Sequence, residues 1–312
     1  MKLALSTNWC CRTIESGEAI ADKALELGFD SLELGFHTTD EQAAGFRNRL
    51  DEIPVSSVHA FCPVPISAPQ GYPELYQLAN FDDDARALAR FHVRKNIEFA
   101  ADIGATAVVL HAGRVGLGTF FRRGFGSPSL RGILEKCGND VSAKPYRKAL
   151  ERALKLRRER GAKMMEVFRR EISELAPDLE RRGVVLGLEN LPYLEGFPDE
   201  VEMAQITEEF SGAPVKPWFD TGHHRVREMH GWLGGLEFSA ESLPAVGMHL
   251  NDVKDYFDDH DAPGCGNVDF VALAPLAHSV QHIVFEPKSH VNEESLRAGI
   301  DLIRRIWYNI YP

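Results

Sequence analysis

The sequence predicts a parallel α/β protein, a closed (β/α)8 TIM barrel with a long insertion after the fourth strand. Three observations lead there. Eight short apolar runs alternate with segments of helical periodicity, the pattern of parallel β/α units. The run Thr106–His111 is apolar almost throughout, as a strand buried on both faces must be. Finally, the runs end at Glu33, His59, His111, Glu189, Asp220, His249 and Glu286, where packing has no use for a charged or imidazole group. In such a barrel the carboxyl ends of the strands converge on one face, where active sites lie.

Taken in order, Lys2–Ser6 is a strand and Asn8-Trp9-Cys10-Cys11 a loop. Ser16 caps a helix carrying Ala19, Ile20, Ala24, Leu25 and Leu27, closed by Gly28. Ser31–Gly35 is the second strand and Thr39–Leu50 the second helix; Val55–Ala60 is the third strand. Asp82–Ile103 is a long helix stopped by Gly104, and Thr106–His111 is the fourth strand. The interval to the next strand, Val184–Glu189, far exceeds a barrel repeat. Residues 114 to about 145, with Phe120-Phe121-Arg122-Arg123-Gly124-Phe125-Gly126, read as a loop insertion over the barrel mouth. Pro145–Arg182 reads as one long helix or two, with Gly161 its weak point and Pro177 beginning or bending the last turn. Regular alternation then resumes: helix Asp199–Phe210, strand Val215–Asp220, a short helix near Arg225–Leu233 and strand Val246–Leu250. A long loop to Gly266, helix Phe270–Ala277, strand His282–Glu286 and a closing helix Glu293–Trp307 complete one domain over residues 1–312.

The net charge of −11 argues against a broad basic surface for nucleic acid. Five cysteines, odd in number and without a CxxC pair, give no disulfide framework, so a reducing cytoplasm is expected. Met1-Lys2-Leu3-Ala4-Leu5-Ser6 turns polar too soon for a signal peptide, and no apolar run approaches a membrane span. The expected partner is a small molecule; a homo-oligomer is compatible with the sequence.

Imidazole nitrogens beside carboxylate oxygens suit Zn, Mn, Co or Fe rather than Ca. One such residue alone would be a hydrogen-bonded strand end; several at equivalent places form a site. Asp220-Thr221-Gly222-His223 is more specific, because its turn can bring both side chains together, although Asp220 could instead cap the next helix. His37, His224 and His230 lack that context and are expected at the surface. Asp252 and Lys254 are placed to support ligands or touch substrate, Lys254 being equally readable as a solvated charge.

Leu32-Glu33-Leu34-Gly35-Phe36, Leu188-Glu189-Asn190, Phe219-Asp220-Thr221-Gly222-His223, His249-Leu250-Asn251-Asp252 and Pro263-Gly264-Cys265-Gly266-Asn267-Val268-Asp269-Phe270 follow one another in that order. Together they resemble the xylose isomerase-like TIM barrels, which include the sugar phosphate isomerase/epimerase family and the type IV AP endonucleases. The resemblance spans the chain apart from the insertion. It implies one divalent metal (Mn, Zn, Co or Mg) on Glu189, Asp220, His249 and Glu286, with Glu189 and Glu286 as acid and base in an enediolate proton transfer. It implies His223 as a substrate ligand, and Trp9, Phe61 and Trp218 as candidates to stack on a sugar or to lie in the core. The endonuclease branch implies a trinuclear zinc phosphodiesterase, and its further ligand positions are also filled, by His59, His111, His223, Asp258 and His260. Arg114, Arg122, Arg123 and Arg131 could clamp one small anion, or be solvated surface. A dehydratase (lyase) on the same scaffold is a further alternative, and a barrel without catalysis is disfavoured by the intact glutamate pair.

Overall fold

The computed structural model describes residues 2–117, 126–233, 238–239, 241–256 and 260–309. Eight parallel strands form the barrel: β1 (Ala4–Ser6), β2 (Ser31–Leu34), β3 (Val55–His59), β4 (Ala107–Leu110), β5 (Val185–Glu189), β6 (Val215–Asp220), β7 (Gly247–Leu250) and β8 (His282–Phe285). Each pairs with its neighbours in sequence, and β8 closes on β1. The register sets Ser6 beside Glu33, Asp220 beside His249 and His249 beside Val284. Pairing therefore levels the polar strand ends with one another.

Around the barrel run α1 (Gly17–Leu27), α2 (Asp40–Arg47), α3 (Asp83–Ile103), α4 (Ser127–Lys136), α5 (Lys144–Arg182), α6 (Glu200–Glu209), α7 (Thr221–Met229), α8 (Ala274–Ala277) and α9 (Glu293–Asn309). Local chemistry starts and stops most of the long ones. The Ser16 hydroxyl accepts from Ala19 N at the head of α1, and Gly28 ends it at φ 92°, a conformation that costs glycine nothing. Thr39 with Gln42, and Asp199 with Glu202, form capping boxes on α2 and α6.

The insertion after β4 is largely helical. Where a loop was expected, α4 forms because Pro128 sits in its first turn and Leu130 and Leu134, four apart, bury one face beside α5. Before it, Gly113–Arg114 pairs antiparallel with Gly196–Phe197. Phe120 to Phe125, with Arg122 and Arg123, fall outside the described residues. α5 runs unbroken for 39 residues through Gly161 and Pro177. Gly161 is a close approach rather than a weak point: a Cβ there would lie 2.1 Å from Glu202 Oε1 and 2.3 Å from Arg157 Nη1, a buried ion pair.

Four other expectations change. α7 begins at Thr221, not Arg225, because Asp220 caps it: its Oδ1 accepts from His223 N at 2.7 Å. α8 is a single turn, shorter than the predicted Phe270–Ala277. His230 is buried, not superficial; its Nδ1 lies 2.7 Å from Val226 O and its ring packs 4.3 Å from Trp232. His224 is half-buried against Phe219. All five thiols are free, and burial pushes Cys10 and Cys11 up to about 12. Among the described residues no helix is long and apolar enough to cross a membrane.

Trp218 fills the barrel interior among Ala4, Ala107, Val109, Val246 and Val284. Its neighbours across the sheet leave room for it, since a Cβ on Gly187 or Gly247 would come within 2.9 or 2.3 Å of the indole. His249 packs edge-on above it, ring centres 5.2 Å apart. Gly247→Ala is therefore expected to overpack the interior and destabilise the fold by roughly 1–3 kcal/mol. Urea unfolding measures this, and an unchanged midpoint would contradict the account of Trp218 as a close-fitting plug.

Candidate metal centre

At the carboxyl ends of the strands the polar termini meet in one buried cluster. Glu189, fully buried at the end of β5, is its hub. Its Oε2 lies 3.2 Å from His59 Nε2 and 3.1 Å from His111 Nε2, while its Oε1 lies 3.3 Å from both His249 Nδ1 and His223 Nδ1. His249 Nδ1 is also 3.1 Å from Glu286 Oε2, and its Nε2 is 3.1 Å from both oxygens of Glu33. Glu33 in turn accepts from Ser57 Oγ at 2.9 Å. Such a carboxylate behind an imidazole fixes which ring nitrogen faces the centre.

The donor atoms fall into two groups, each within 4.8 Å: His59, Glu189, His249 and Glu286 in one, Asp220, His223 and His260 in the other. Asp220 Oδ2 stands 3.8 Å from His249 Nδ1, so the two adjoin. Both offer only imidazole and carboxylate, a donor set that fits Zn, Mn, Co or Fe. The residues present thus fit a divalent cation.

Electrostatics inside the cluster is extreme. Burial alone would raise Glu189, yet His111 and His249 hold it well below the usual carboxylate range. Burial would likewise raise Glu286, but His249 and His260 pull it down. Burial opposes charge on His111, but Glu189 and Glu74 raise it to about 9; His249 is raised well above its usual value by Glu286, Glu33 and Glu189. Asp220 is raised by burial. Protons thus sit where cations would, and metal binding to such a set releases them.

Asparagines position Asp220. Asn190 Oδ1 accepts from Asp220 N at 2.7 Å, and Asn251 Nδ2 donates to Asp220 Oδ2 at 2.7 Å. Gly222 makes the second contact possible, because a Cβ there would lie 1.8 Å from Asn251 Oδ1. His260 is held at φ 65°, left-handed backbone that costs a histidine on the order of 1 kcal/mol. Its N donates to Asn251 Oδ1 and its O accepts from Lys288 N. Above the cluster opens a cavity of about 400 Å³, with His59, His111, His223, His260 and Glu286 in its wall.

An eight-stranded barrel with imidazoles and carboxylates gathered at its strand ends defines a class of enzyme-like barrels with two candidate metal-ligand clusters. The chain belongs to the xylose isomerase-like TIM barrel family, whose model matches residues 21–306. No curated protein matches its sequence. Among solved structures it is similar to the 3-keto-D-glucoside 4-epimerase of E. coli, at 16% identity and a TM-score of 0.63 over 98% of this chain and 99% of that one. It is also similar to the D-psicose 3-epimerase of Clostridium cellulolyticum in a structure with D-tagatose (16%, TM-score 0.58, 98% and 99%). A third is a Thermus thermophilus protein soaked with zinc chloride (18%, TM-score 0.59, 99% of each chain). At these identities the likeness is one of fold.

The residues expected at the site separate into two sets. Glu189, Asp220, His249, Glu286, His59, His111, His223 and His260 all converge; Asp258 is outside the described residues. Phe61 is wholly buried against Tyr76 and His92. Trp9 donates to Val291 O at 2.7 Å, and Lys254 is bound to Asp261 at 2.9 Å; neither reaches the cavity wall. Asp252 organises the long loop after β7, accepting from the N–H groups of Val253, Gly264, Gly266 and Val268.

Arg114 reaches the site through an unexpected residue, Glu74, from the loop between β3 and α3. Arg114 holds Glu74 through two bonds of 2.6 and 2.8 Å and stacks 3.8 Å over the Tyr193 ring. Glu74 Oε1 faces His111 Nδ1 at 3.8 Å. Burial would raise Glu74, but His111 and Arg114 lower it to about 2. Glu74→Gln, nearly isosteric, is expected to weaken metal binding about tenfold by loosening His111. Titration against a competing chelator reads the effect; unaltered affinity would remove Glu74 from the site.

Proposed function

We propose that the chain is a divalent-metal-dependent isomerase or epimerase of a sugar or sugar phosphate. The observation that carries this reading is that Glu189 and Glu286 approach one atom, His249 Nδ1, at 3.3 and 3.1 Å beside the cavity. Two carboxylates around one point can take a proton from a carbon acid and return one to it. Glu189, Asp220, His249 and Glu286 would hold the metal, with His59 beside them. A divalent cation there supplies Lewis acidity, which acidifies a C–H next to a carbonyl and offsets enediolate charge. Imidazole neighbours pull both Glu189 and Glu286 down; one would take the proton as carboxylate, and the other would return a proton from its protonated form. Asn8 Nδ2, 3.2 Å from Glu286 Oε1, orients one member, and His223 in the wall would bind a substrate hydroxyl. The family and the two epimerases of similar fold support this choice of substrate class.

A second reading, hydrolysis of a phosphodiester by a multinuclear centre, is favoured by the separate Asp220, His223 and His260 group. Charge makes the same point. Glu33, Glu189, Asp220 and Glu286 are four buried carboxylates, and with metal-bound imidazoles neutral two divalent cations would balance them.

Under the isomerase reading, ketoses incubated in D2O gain deuterium next to the carbonyl, detectable by NMR. Glu189→Gln and Glu286→Gln should each slow that exchange on the order of a hundredfold or more in a barrel that still folds. Full activity in both variants would sink the acid–base assignment. Elemental analysis separates the two readings: about one ion per chain fits proton transfer through a single metal. Two or three zinc or iron ions, with hydrolysis of a model phosphodiester and no exchange into sugars, would replace it with the hydrolase.

A further inference from the structure

We infer that the mouth of this cavity carries an oxyanion subsite, built on Arg12 and Lys288, for the phosphate or carboxylate of an acidic sugar. The inference rests on the sugar reading above and narrows its substrate class. Arg12 follows β1 and Lys288 follows β8, strands paired to each other, and both side chains line the cavity. Their loops are locked together. Trp9, three residues before Arg12, donates its indole N–H to Val291 O at 2.7 Å, and Val291 N donates to Lys288 O at 3.1 Å. The Lys288 backbone is tied in turn to His260 at 2.9 Å. The two cations thus stand on a braced wall.

The neighbouring charges in that wall already have roles within the protein. Glu74 is neutralised by Arg114, Glu286 belongs to the buried centre, and His290 lies 3.2 Å from Asp261. Arg12 differs from them: among the described residues no carboxylate lies within ion-pair distance of its guanidinium. It meets His37 Nδ1 at 3.2 Å. Burial and the nearby Arg12 lower His37 to about 4, so that imidazole is neutral at pH 7 and leaves the Arg12 charge unspent. In a chain of net charge −11, a cavity mouth lined by an arginine that no carboxylate among the described residues pairs is not what composition alone provides. A guanidinium fork matches phosphate and carboxylate oxygens in pairs, and Lys288 lines the same cavity. Arg12 and Lys288 are exposed whereas Glu189 is fully buried, so the acidic group would sit remote from the reacting carbon. Binding energy from such a remote group can be used to raise turnover.

The test compares metal-loaded wild type with Arg12→Gln and Lys288→Gln at equal metal content. Deuterium exchange is measured on matched pairs, D-fructose with D-fructose 6-phosphate and D-glucose with D-glucuronate. The expected result is a higher kcat/KM for the acidic member, with the preference reduced at least about tenfold in Arg12→Gln, as for loss of a charge-assisted bond. Which pair shows it tells phosphate from carboxylate. Exchange of neutral and acidic sugars at equal rates, or a preference that survives in both variants, would overturn the subsite while leaving the sugar chemistry standing. Should no sugar exchange at all, the sugar reading fails. The subsite is then read by calorimetric titration of inorganic phosphate and acetate: about tenfold weaker binding in Arg12→Gln supports it, and equal binding overturns it.

Discussion

A fully buried carboxylate among four imidazoles, Glu189, is the interaction on which the rest of the site depends. An ionised carboxylate in a protein interior is costly unless fully paired. The contacts of His59, His111, His223 and His249 meet that cost from four directions. Those four come from β3, the end of β4, the first turn of α7 and β7, so the centre is complete only in the closed barrel. Replacing one member leaves the others buried and uncompensated.

Beneath the cluster, Trp218 supplies a rigid floor. It needs glycine on both adjacent strands, and it holds the His249 ring from below while Glu33 fixes it from the side. The loop tops are built differently, from hydrogen bonds to single side chains. Asp252 gathers four backbone N–H groups of the long loop after β7, and the Trp9 indole ties the loops of β1 and β8. Floor and rim can therefore vary independently, the arrangement that lets one barrel serve many substrates.

What was legible in the sequence follows this division. Strand ends were readable because a histidine or carboxylate closing an apolar run has no packing purpose, and helix limits were readable because Ser16, Thr39 and Gly28 act on their own neighbours. The α4 segment reads as loop because its stability lies in a face buried beside α5, which no local pattern announces. Glu74 was missed for the same reason: it sits in a loop without periodicity, and its meaning comes from Arg114 and His111, distant in sequence. Trp9 shows the converse. An aromatic after a barrel strand suggests a sugar platform, but its polar N–H found a backbone carbonyl and turned it into a brace. Asp220 answered to both readings at once, capping α7 with one oxygen while the other faces Asn251 and His249.

That double use of Asp220 bears on how the two metal-ligand groups relate. Its carboxylate is fixed at two points, by the N–H of His223 and the amide of Asn251, and its backbone N–H is held by Asn190 Oδ1. A carboxylate so constrained cannot swing, so any cation it held would have to sit where it already points. His260 contrasts with it, carried on a left-handed residue of a loop and held by backbone bonds to Asn251 and Lys288. The second cluster therefore shares a backbone anchor with the wall that carries Lys288.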